Sequence, residues 1–359
     1  MKTQNVGEKK EMAKLKAGVI GTGSIGNAHL QGYTNCKSQV TIYAICDLNK
    51  TRLDEMGEKY GVPTERRYTD YKEMLAKEKL DMVSVCTWNC YHYEIATACI
   101  KAGIPTLCEK PMTIDIEDAK KLAALAKKTG VKNMVAFSHR FSRPKLAAKE
   151  LLDSGKLGDP FMIRIRFAHG GPYPGWAQSD WFYDPKRCGY GALMDMGIHA
   201  IDFMHFAIGP VKRVSAMMAT LRKKIKVEDN AIIVCDFGPK KKCLGYIECG
   251  WTSKPGFSGV EIYCDKGTII VNEQTQDFQV IAGSANPSYA DELEYKKLNV
   301  AEGPTGWEYQ LKAWVDYVAG KKKNCFKYPI PNFEDGYKSV VVGLKAAESS
   351  KTGKTIDIK

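Results

Sequence analysis

The sequence predicts an α/β protein with two domains, the first built on a parallel sheet and the second on an open, mostly antiparallel sheet. Strand-like and helix-like segments alternate over residues 17–138, which indicates a parallel sheet with helices on both faces. A glycine-rich turn, GTGSIG, follows the first strand. From residue 161 onward, most strand-like segments follow one another without intervening helices, as they do in an antiparallel sheet.

In the first domain, the predicted strands are short apolar runs and the predicted helices are bounded by turn residues. Gly61, Gly103 and Gly130 end three of the helices, as expected of a residue that adopts left-handed conformations easily. The strands are predicted at residues 17–21, 41–47, 81–87, 104–110 and 133–138. The helices are predicted at residues 25–33, 51–60, 70–80, 92–102 and 116–128.

The pattern changes near residue 145, where a helix at 146–158 ends in glycine. A glycine-opened helix is predicted within Gly189–Asp202, and two late helices at 306–320 and 333–350. We therefore predict a lysine-rich extension (1–15), a first domain (16–141) and a second domain (142–359), without a flexible linker. The strands of the second domain are predicted at residues 161–168, 211–221, 230–237, 243–251, 259–265, 268–272 and 278–282.

Composition places the chain among ordinary globular proteins, with 44% hydrophobic and 26% charged residues. No apolar run approaches the roughly 20 residues that span a bilayer, so no membrane association is expected. The polar N-terminus lacks the apolar core of a signal peptide, which predicts a cytoplasmic location. The net charge of +12 comes largely from short lysine and arginine clusters at expected turns, without a nucleic-acid reader motif. We therefore expect no nucleic-acid partner.

The 12 cysteines are scattered, and no C-x-x-C pair occurs among them. This spacing argues against a structural zinc site. Buried, reduced thiols are the favoured interpretation, and disulfide bonds are the alternative.

The glycine-rich turn, Gly21–Gly26, matches the fingerprint of a dinucleotide-binding site, because it follows a strand and opens a helix. Gly21 permits the tight turn, Gly23 lets the backbone approach a pyrophosphate, and Gly26 lets helix and strand pack closely. The helix N-terminus offers free N–H groups to the phosphates. We therefore predict that NAD contacts the loop residues Gly21, Thr22, Gly23, Ser24, Ile25 and Gly26.

Asp47 ends the second strand, at the position where the fingerprint carries an acidic residue. Its carboxylate would accept hydrogen bonds from the adenosine ribose and repel a 2′-phosphate. This favours NAD over NADP, although the nearby Lys50 and Arg52 leave NADP as an alternative.

Asp195 and His199 lie four residues apart in the glycine-opened helix, and Asp202 follows three residues later. This spacing places Asp195 and His199 on one helix face, one turn apart. A carboxylate beside an imidazole can handle protons. A purely structural pair and a metal-ligand pair are alternative interpretations.

Several motifs together resemble the Gfo/Idh/MocA oxidoreductases, the family of glucose–fructose oxidoreductase and inositol 2-dehydrogenase. The resemblance covers nearly the whole chain. Its motifs are GTGSIG, the run TWNCYH at 87–92, EKP at 109–111, HRFSRP at 139–144, GYGALMDMGIHAID at 189–202 and the pattern of the two late helices.

The resemblance implies a Rossmann domain followed by an α/β domain, and an enzyme that transfers a hydride from a sugar carbon to nicotinamide without a metal. Lys110, Asp195 and His199 correspond to the family's catalytic residues. His199 would be the general base, Asp195 would orient it or hold a neighbouring hydroxyl, and Lys110 would stabilise the reacting oxygen. The resemblance also implies a homo-oligomer, whether dimer, tetramer or larger. Further cofactor contacts would come from Thr87, Asn89, His92, Glu109 and Lys110.

The chain departs from the common pattern at Ser138–His139, where asparagine or tyrosine is frequent in the family, and at Tyr190. The segment His169–Pro185 is rich in aromatic residues and glycine, and its rings either line a sugar pocket or pack within the loop. This segment loosely resembles bacterial enzymes that oxidise plant glycosides at the C3 hydroxyl. The candidate substrate residues are Arg140, Tyr173, Trp176, Trp181, Tyr183 and Tyr190.

We therefore predict an NAD-dependent dehydrogenase that acts on a ring secondary hydroxyl of a sugar, glycoside or cyclitol, with the C3 hydroxyl of a glycoside favoured. Inositol 2-dehydrogenase is one alternative. A second alternative is an NAD-dependent glycosidase, in which transient C3 oxidation permits elimination without net redox change. A third is a non-catalytic NAD-binding regulator, although such a protein should lack the Lys110, Asp195 and His199 set.

Overall fold

The computed structural model describes residues 13–253, 258–282 and 294–359. Most of the predicted N-terminal extension, residues 1–12, therefore lies outside the described residues. The first strand begins at Leu15, the last residue assigned to that extension.

The first sheet has six strands, all parallel to their neighbours, in the order β3-β2-β1-β4-β5-β6. The strand order reverses between β1 and β4, which creates the crevice where such sheets bind ligands. The two-residue β3 is absent from the predicted strands. The strands are β1 (Leu15–Ile20), β2 (Val40–Cys46), β3 (Arg67–Tyr68), β4 (Met82–Val85), β5 (Thr106–Cys108) and β6 (Asn133–Val135).

Five helices connect these strands, as the alternating sequence pattern predicts. Asn49, Asp70 and Asp115 cap three of them by accepting a hydrogen bond from a backbone N–H in the first turn. The helices are α1 (Ser24–Asn35), α2 (Lys50–Tyr60), α3 (Tyr71–Lys77), α4 (Asn89–Lys101) and α5 (Ile116–Thr129).

The second sheet has nine strands in the described part of the chain, in the order β14-β13-β12-β11-β7-β10-β9-β8-β15. Its neighbouring strands are antiparallel except for the parallel pair of β7 and β10, so the mostly antiparallel sheet is confirmed. Strands β14 and β15 add to the seven predicted. The strands are β7 (Pro160–Ala168), β8 (Arg213–Ala219), β9 (Asn230–Asp236), β10 (Leu244–Gly250), β11 (Gly259–Cys264), β12 (Gly267–Asn272), β13 (Asp277–Ala282), β14 (Glu294–Leu298) and β15 (Ile356–Asp357).

Helices cover one face of the second sheet and leave side chains on the other face exposed. Along β9, Ala231, Ile233 and Cys235 are buried, whereas Ile232 and Val234 are exposed. This alternation is typical of a sheet with only one covered face. The helices that follow the first domain are α6 (Arg143–Asp153), α7 (Pro185–Cys188), α8 (Ile198–Ala207), α9 (Gly306–Val318) and α10 (Phe333–Thr352).

Helix α9 returns to the first domain and completes its core. Leu311 and Trp314 are fully buried in one apolar cluster with Leu30 and Tyr33 of α1. The two helices approach so closely that a Cβ on Gly32 would lie 2.8 Å from the Leu311 side chain. A single division of the chain at residue 142 therefore separates α9 from the core that it completes.

All 12 cysteines are free thiols, and 10 of them are buried. The structure thus agrees with the interpretation as reduced thiols and pairs none of them in a disulfide. Among the residues described, no helix is both long and apolar enough to span a bilayer.

Candidate active site

The glycine loop between β1 and α1 has the shape that a bound pyrophosphate requires. A Cβ on Gly21, whose φ is +88°, would lie 2.5 Å from the Cys86 carbonyl oxygen, and one on Gly26 would lie 2.0 Å from the Gly21 oxygen. At Gly23 a Cβ would fit without overlap, since its nearest neighbour would be Arg52 Nη1 at the van der Waals distance of 3.6 Å. No side chain among the described residues caps the start of α1, so its first N–H groups remain available to phosphate oxygens.

Asp47 lies at the end of β2 and is fixed against this loop. Its Oδ2 accepts hydrogen bonds from Thr22 N at 2.7 Å and Thr22 Oγ1 at 3.0 Å, and its Oδ1 accepts one from Asn49 N at 2.8 Å. Arg52 Nε lies 3.5 Å from Asp47 Oδ2. The carboxylate therefore stands beside the glycine loop, at the position from which the fingerprint predicts contact with the ribose.

Gly26→Ala is expected to abolish NAD binding and to lower the free energy of unfolding by about 2 kcal/mol, because the added Cβ overlaps backbone rather than a movable side chain. Gly23→Ala is the matched control. Its Cβ has room in the protein, so this variant should melt like wild type and lose only cofactor affinity. Thermal melting and NADH fluorescence titration measure the two effects, and equal melting temperatures for both variants would contradict this account of the loop.

Lys110 and Asp195 form the central ion pair of the site and join the end of the first sheet to the helical segment that contains Asp195. Lys110 follows β5, and its Nζ donates to Asp195 Oδ1 at 2.8 Å and to the Asp195 carbonyl oxygen at 2.7 Å. Trp251, just after β10, donates from Nε1 to Asp195 Oδ2 at 3.0 Å. An ammonium group has three N–H donors, so one N–H of Lys110 remains beyond these two hydrogen bonds.

A buried polar network lies behind Lys110. Glu109 Oε2 accepts a hydrogen bond from Lys110 N, and Glu109 Oε1 lies 2.9 Å from His29 Nε2. His29 Nδ1 in turn lies 3.0 Å from Ser84 Oγ, which also contacts the Tyr33 hydroxyl. The network fixes the backbone from which Lys110 extends. Glu109, which was predicted to contact the cofactor, is thus buried within this network.

Two other predicted cofactor residues hold loops in place within the described structure. Asn89 Nδ2 donates to the Cys188 carbonyl oxygen at 3.0 Å, which links α4 to α7. His92 is buried between the Pro111 and Thr87 carbonyl oxygens, at 2.7 and 3.1 Å from its Nδ1 and Nε2. These contacts tie the loop after β4 to the loop after β5.

His199 lies on α8 and stacks on a second histidine, His139. Their ring centroids are 4.3 Å apart with an interplanar angle of 13°. Nδ1 of His199 is buried and has no hydrogen-bond partner among the residues described. Burial holds the pKa of His199 well below its usual range, and the neighbouring His139, Lys110 and Lys145 lower it further. At neutral pH the imidazole is therefore uncharged and able to accept a proton.

Asp195 makes no hydrogen bond with His199 in the described part of the chain, which corrects the expected orienting contact. The turn Leu193–Gly197 is π-helical and continues into α8. In a π-helical turn the hydrogen bonds run from i to i+5, so residues four apart no longer align as they do on an α-helix. The Asp195 carboxylate therefore reaches Lys110 and Trp251 instead.

Glu228, which the sequence did not single out, caps the start of this helical segment. Its carboxylate oxygens accept hydrogen bonds from the backbone of Gly191 and Leu193, each at 2.9 Å. A buried carboxylate at a helix N-terminus satisfies free N–H groups and favours the helix dipole. Because 35 or more residues separate the partners, no local pattern signals the contact.

The guanidinium of Arg140 is buried in an ion pair in the structure. It donates to both oxygens of Asp202, at 2.7 and 2.6 Å, and the two side chains are 5% and 0% exposed. Asp202 likewise turns away from His199 toward this partner. Arg140, which was predicted to contact the substrate, instead forms a buried, bidentate ion pair with Asp202.

The aromatic segment at 169–185 runs from the second sheet to the glycine loop. The Trp176 carbonyl accepts a 3.4 Å hydrogen bond from Ser24 Oγ, and Gln178 Oε1 accepts one from Arg52 at 2.7 Å. Trp181 stacks on Trp88, at 6.1 Å between centroids. This segment therefore lies across the proposed dinucleotide site.

The aromatic candidates divide into two groups by exposure. Tyr173, Trp176 and Tyr190 expose their rings. Trp181 packs between Trp88 and Phe182, and the Tyr183 hydroxyl contacts the backbone of Tyr173. Loop packing thus accounts for the second group, while the first remains available to a ligand.

The residues described contain no group of three or more histidine, cysteine, aspartate or glutamate side chains placed to hold a metal ion. The sequence leaves open a metal-ligand role for the pair of Asp195 and His199. In the structure, the two carboxylate oxygens of Asp195 accept hydrogen bonds from Lys110 and Trp251.

Residues 15–137 match the oxidoreductase family with an NAD-binding Rossmann fold, and residues 146–270 match the GFO/IDH/MocA C-terminal domain. The chain is 27% identical to myo-inositol 2-dehydrogenase of Thermotoga maritima over 351 residues, which cover 96% of this chain and 99% of the relative. It is 30% identical to D-glucoside 3-dehydrogenase of Escherichia coli over 204 residues, 56% of this chain and 57% of the relative.

Among solved structures, levoglucosan dehydrogenase in complex with NADH and L-sorbose superposes with a TM-score of 0.84 at 22% identity. The match covers 97% of this chain and 100% of that one, and it shows the shared fold. The nucleotide-binding loop, the two sheets and both family matches lead to one conclusion: the chain belongs to the Gfo/Idh/MocA family of NAD-binding sugar and cyclitol dehydrogenases.

Proposed function

We propose that this protein oxidises a ring secondary hydroxyl of a sugar, glycoside or cyclitol, with NAD as the oxidant. One observation carries the proposal. The Lys110–Asp195 ion pair and the uncharged His199 lie together at the carboxyl edge of the first sheet. Lys110 can stabilise negative charge on the reacting oxygen while His199 removes the proton of that oxygen.

Lys110 is proposed to bind the hydroxyl oxygen with the one N–H that Asp195 does not occupy. Its charge then stabilises the partial negative charge that this oxygen gains. Asp195, held by Trp251, fixes the position of the ammonium group in a site that is only partly open to water. Asp195 is therefore proposed as a positioning residue for Lys110.

His199 is proposed to take the hydroxyl proton, because its low pKa keeps it uncharged. The proton would go to Nε2, since Nδ1 is enclosed by the protein and Nε2 is not among the enclosed atoms. NAD, when bound in the glycine loop, supplies the acceptor for the hydride that leaves the same carbon. The absence of a side chain at Gly23 and the uncapped start of α1 fit its pyrophosphate.

The relatives with ring-polyol names support the substrate class. Inositol 2-dehydrogenase and D-glucoside 3-dehydrogenase both act, by name, on ring hydroxyls. The exposed rings of Tyr173, Trp176 and Tyr190 support a flat apolar substituent, such as an aglycone. We propose the C3 hydroxyl of a glycoside as the favoured position of attack.

The proposal is tested with purified protein, NAD and three probes: myo-inositol, methyl β-D-glucoside and 4-nitrophenyl β-D-glucoside. Absorbance at 340 nm reports NADH, and absorbance at 405 nm reports released nitrophenolate. We expect NADH to accumulate with at least one probe. Nitrophenolate without NADH would instead indicate the redox-neutral glycosidase, and bound NADH with no turnover of any probe would reject the proposal.

We also propose that the open face of the second sheet pairs with a second copy of the chain. Met217 and Ile232 are cross-strand neighbours that are 81% and 47% exposed, and Val234 lies beside them on the same face at 46%. Clustered apolar side chains of this kind mark interaction surfaces.

Ile232→Glu combined with Val234→Glu is expected to shift the protein toward the monomer, because each substitution places a charge in the proposed interface. Light scattering after gel filtration measures the mass. Leu48→Glu is the control, since Leu48 is exposed but lies outside the second sheet. An unchanged mass in the double variant, or a monomeric wild type, would contradict the proposed interface.

A further inference from the structure

The stacked histidines of the site are backed by a buried cation. Lys145, on α6, is 1% exposed, and its Nζ lies 2.7 Å from His139 Nδ1. Glu273, just after β12, lies 2.5 Å from the same ammonium group. His139, Lys145 and Glu273 come from three separate elements and converge behind His199. A buried charge is costly unless it is paired, so Glu273 accounts for the ammonium at this position.

The contact with Lys145 decides which nitrogen of His139 carries the proton. An ammonium group only donates hydrogen bonds, so Nδ1 of His139 must accept and cannot bear a hydrogen. Burial and the charges of Lys145 and Lys110 hold the pKa of His139 well below its usual range, so the ring is uncharged. A neutral imidazole has one N–H, and in His139 it must therefore be at Nε2.

That Nε2–H is not enclosed by the described residues. The His139 side chain is 17% exposed. Within the described residues no acceptor lies within hydrogen-bond distance of Nε2, and this atom is not among the enclosed polar atoms that lack a partner. The two imidazoles thus have complementary states: the uncharged His199 can accept a proton, and His139 carries its proton at Nε2.

We infer that His139 is a second substrate-binding histidine, fixed by Lys145 and Glu273 as the Nε2–H tautomer, which donates a hydrogen bond to the hydroxyl adjacent to the one oxidised. The inference rests on the proposed function and narrows it to substrates with vicinal hydroxyls. Two rings stacked 4.3 Å apart can address two neighbouring oxygens of one sugar or cyclitol ring. Lys145 and Glu273 act through His139 and are positioning residues.

The tautomer can be measured without any turnover. Long-range ¹H–¹⁵N correlation spectra of ¹⁵N-histidine-labelled protein distinguish the two neutral tautomers, and the chain has only six histidines. His139→Gln assigns the His139 signal by its disappearance. We expect the pure Nε2–H form in wild type and a mixture of tautomers in Lys145→Met. The Nδ1–H form, or a protonated ring at neutral pH in wild type, overturns the inference whether or not the enzyme turns over a probe.

The substrate contact is tested with methyl β-D-glucoside and its 2-deoxy and 4-deoxy analogues, which lack one flanking hydroxyl each. In wild type, one of the two deoxy analogues should lose about 10-fold in kcat/KM, the size of one hydrogen bond to a substrate hydroxyl. In His139→Phe the parent glucoside should lose about as much, and that same analogue should lose nothing further. His139→Gln keeps an N–H donor and should retain more activity than His139→Phe. Additive losses in the Phe variant overturn the contact.

The pH profile tests the positioning role of Lys145. The charged and titratable groups around the two rings are Lys145, Glu273, Lys110, Asp195 and His169. The charge of Lys145 lowers the pKa of both His139 and His199, in addition to burial. Removing it in Lys145→Met should raise both pKa values, so kcat/KM should begin to fall at a higher pH. Lys149→Met, one helical turn away in an ion pair with Asp153, is the control and should leave the profile unchanged. An identical profile in both variants overturns the role of Lys145.

Discussion

Lys110→Met is expected to reduce kcat by about 1,000-fold, because it removes the charge that stabilises the reacting oxygen. Methionine keeps the apolar length of the side chain, and Asp195 keeps its hydrogen bond from Trp251. NADH binding should therefore stay close to that of wild type, since the glycine loop is untouched. NADH formation with the best probe and NADH fluorescence titration measure the two quantities.

Two further variants sharpen the Lys110 test. Lys101→Met, an exposed lysine at the end of α4, is the matched control and should retain full activity. Lys110→Arg keeps the charge but replaces a compact ammonium with a planar group of different donor geometry. It should remain strongly impaired if one N–H must point at the substrate oxygen. A kcat for Lys110→Met within a few-fold of wild type would remove Lys110 from the proposed mechanism.

His199→Asn is expected to lower kcat by between about 100-fold and 10,000-fold, the range for loss of a general base. Wild-type kcat/KM should fall on the acid side as His199 takes up a proton. Because burial and nearby positive charge lower its pKa, this fall should begin only at a pH below the usual range of histidine. The acid limb due to His199 should be absent in the variant, which has no group to titrate there.

His205→Asn is the matched control for the base. His205 lies on the same helix, and its Nε2 is likewise buried without a partner in the described chain. It should cost stability but leave kcat and the acid limb unchanged. A retained acid limb in His199→Asn, with kcat near wild type, would show that another group accepts the proton.

Local patterns predicted the first domain well, because its elements are encoded by contiguous residues. The strand–turn–helix at Gly21–Gly26 and the acidic residue at Asp47 are short-range features, and the parallel sheet follows from strand–helix alternation. The antiparallel second sheet was predicted for the same reason. Helix α9 could not be assigned to the first core, because only tertiary packing of Leu311 and Trp314 reveals that contact.

The sequence indicates candidate residues of the site, but it does not indicate most of the contacts between them. Lys110 and Asp195 were both named, but their ion pair spans 85 positions and no spacing rule signals it. The π-helical turn broke the expected Asp195–His199 contact, since the four-residue spacing assumes an α-helix. In the sequence, His139 stands out only as a departure from the family pattern. Its partners Lys145 and Glu273 come from elements that meet only in the folded chain.

The most direct test of the central claim is to quantify NADH and ring ketone together, in wild type and in the Lys110→Met/His199→Asn double variant saturated with NAD. Absorbance gives NADH, and mass spectrometry after borodeuteride reduction gives the ketone and the carbon that carries it. We predict equal amounts of both products from wild type and neither from the double variant, which should still bind NADH. Ketone formation by the double variant at a rate near that of wild type would contradict the proposed roles of Lys110 and His199.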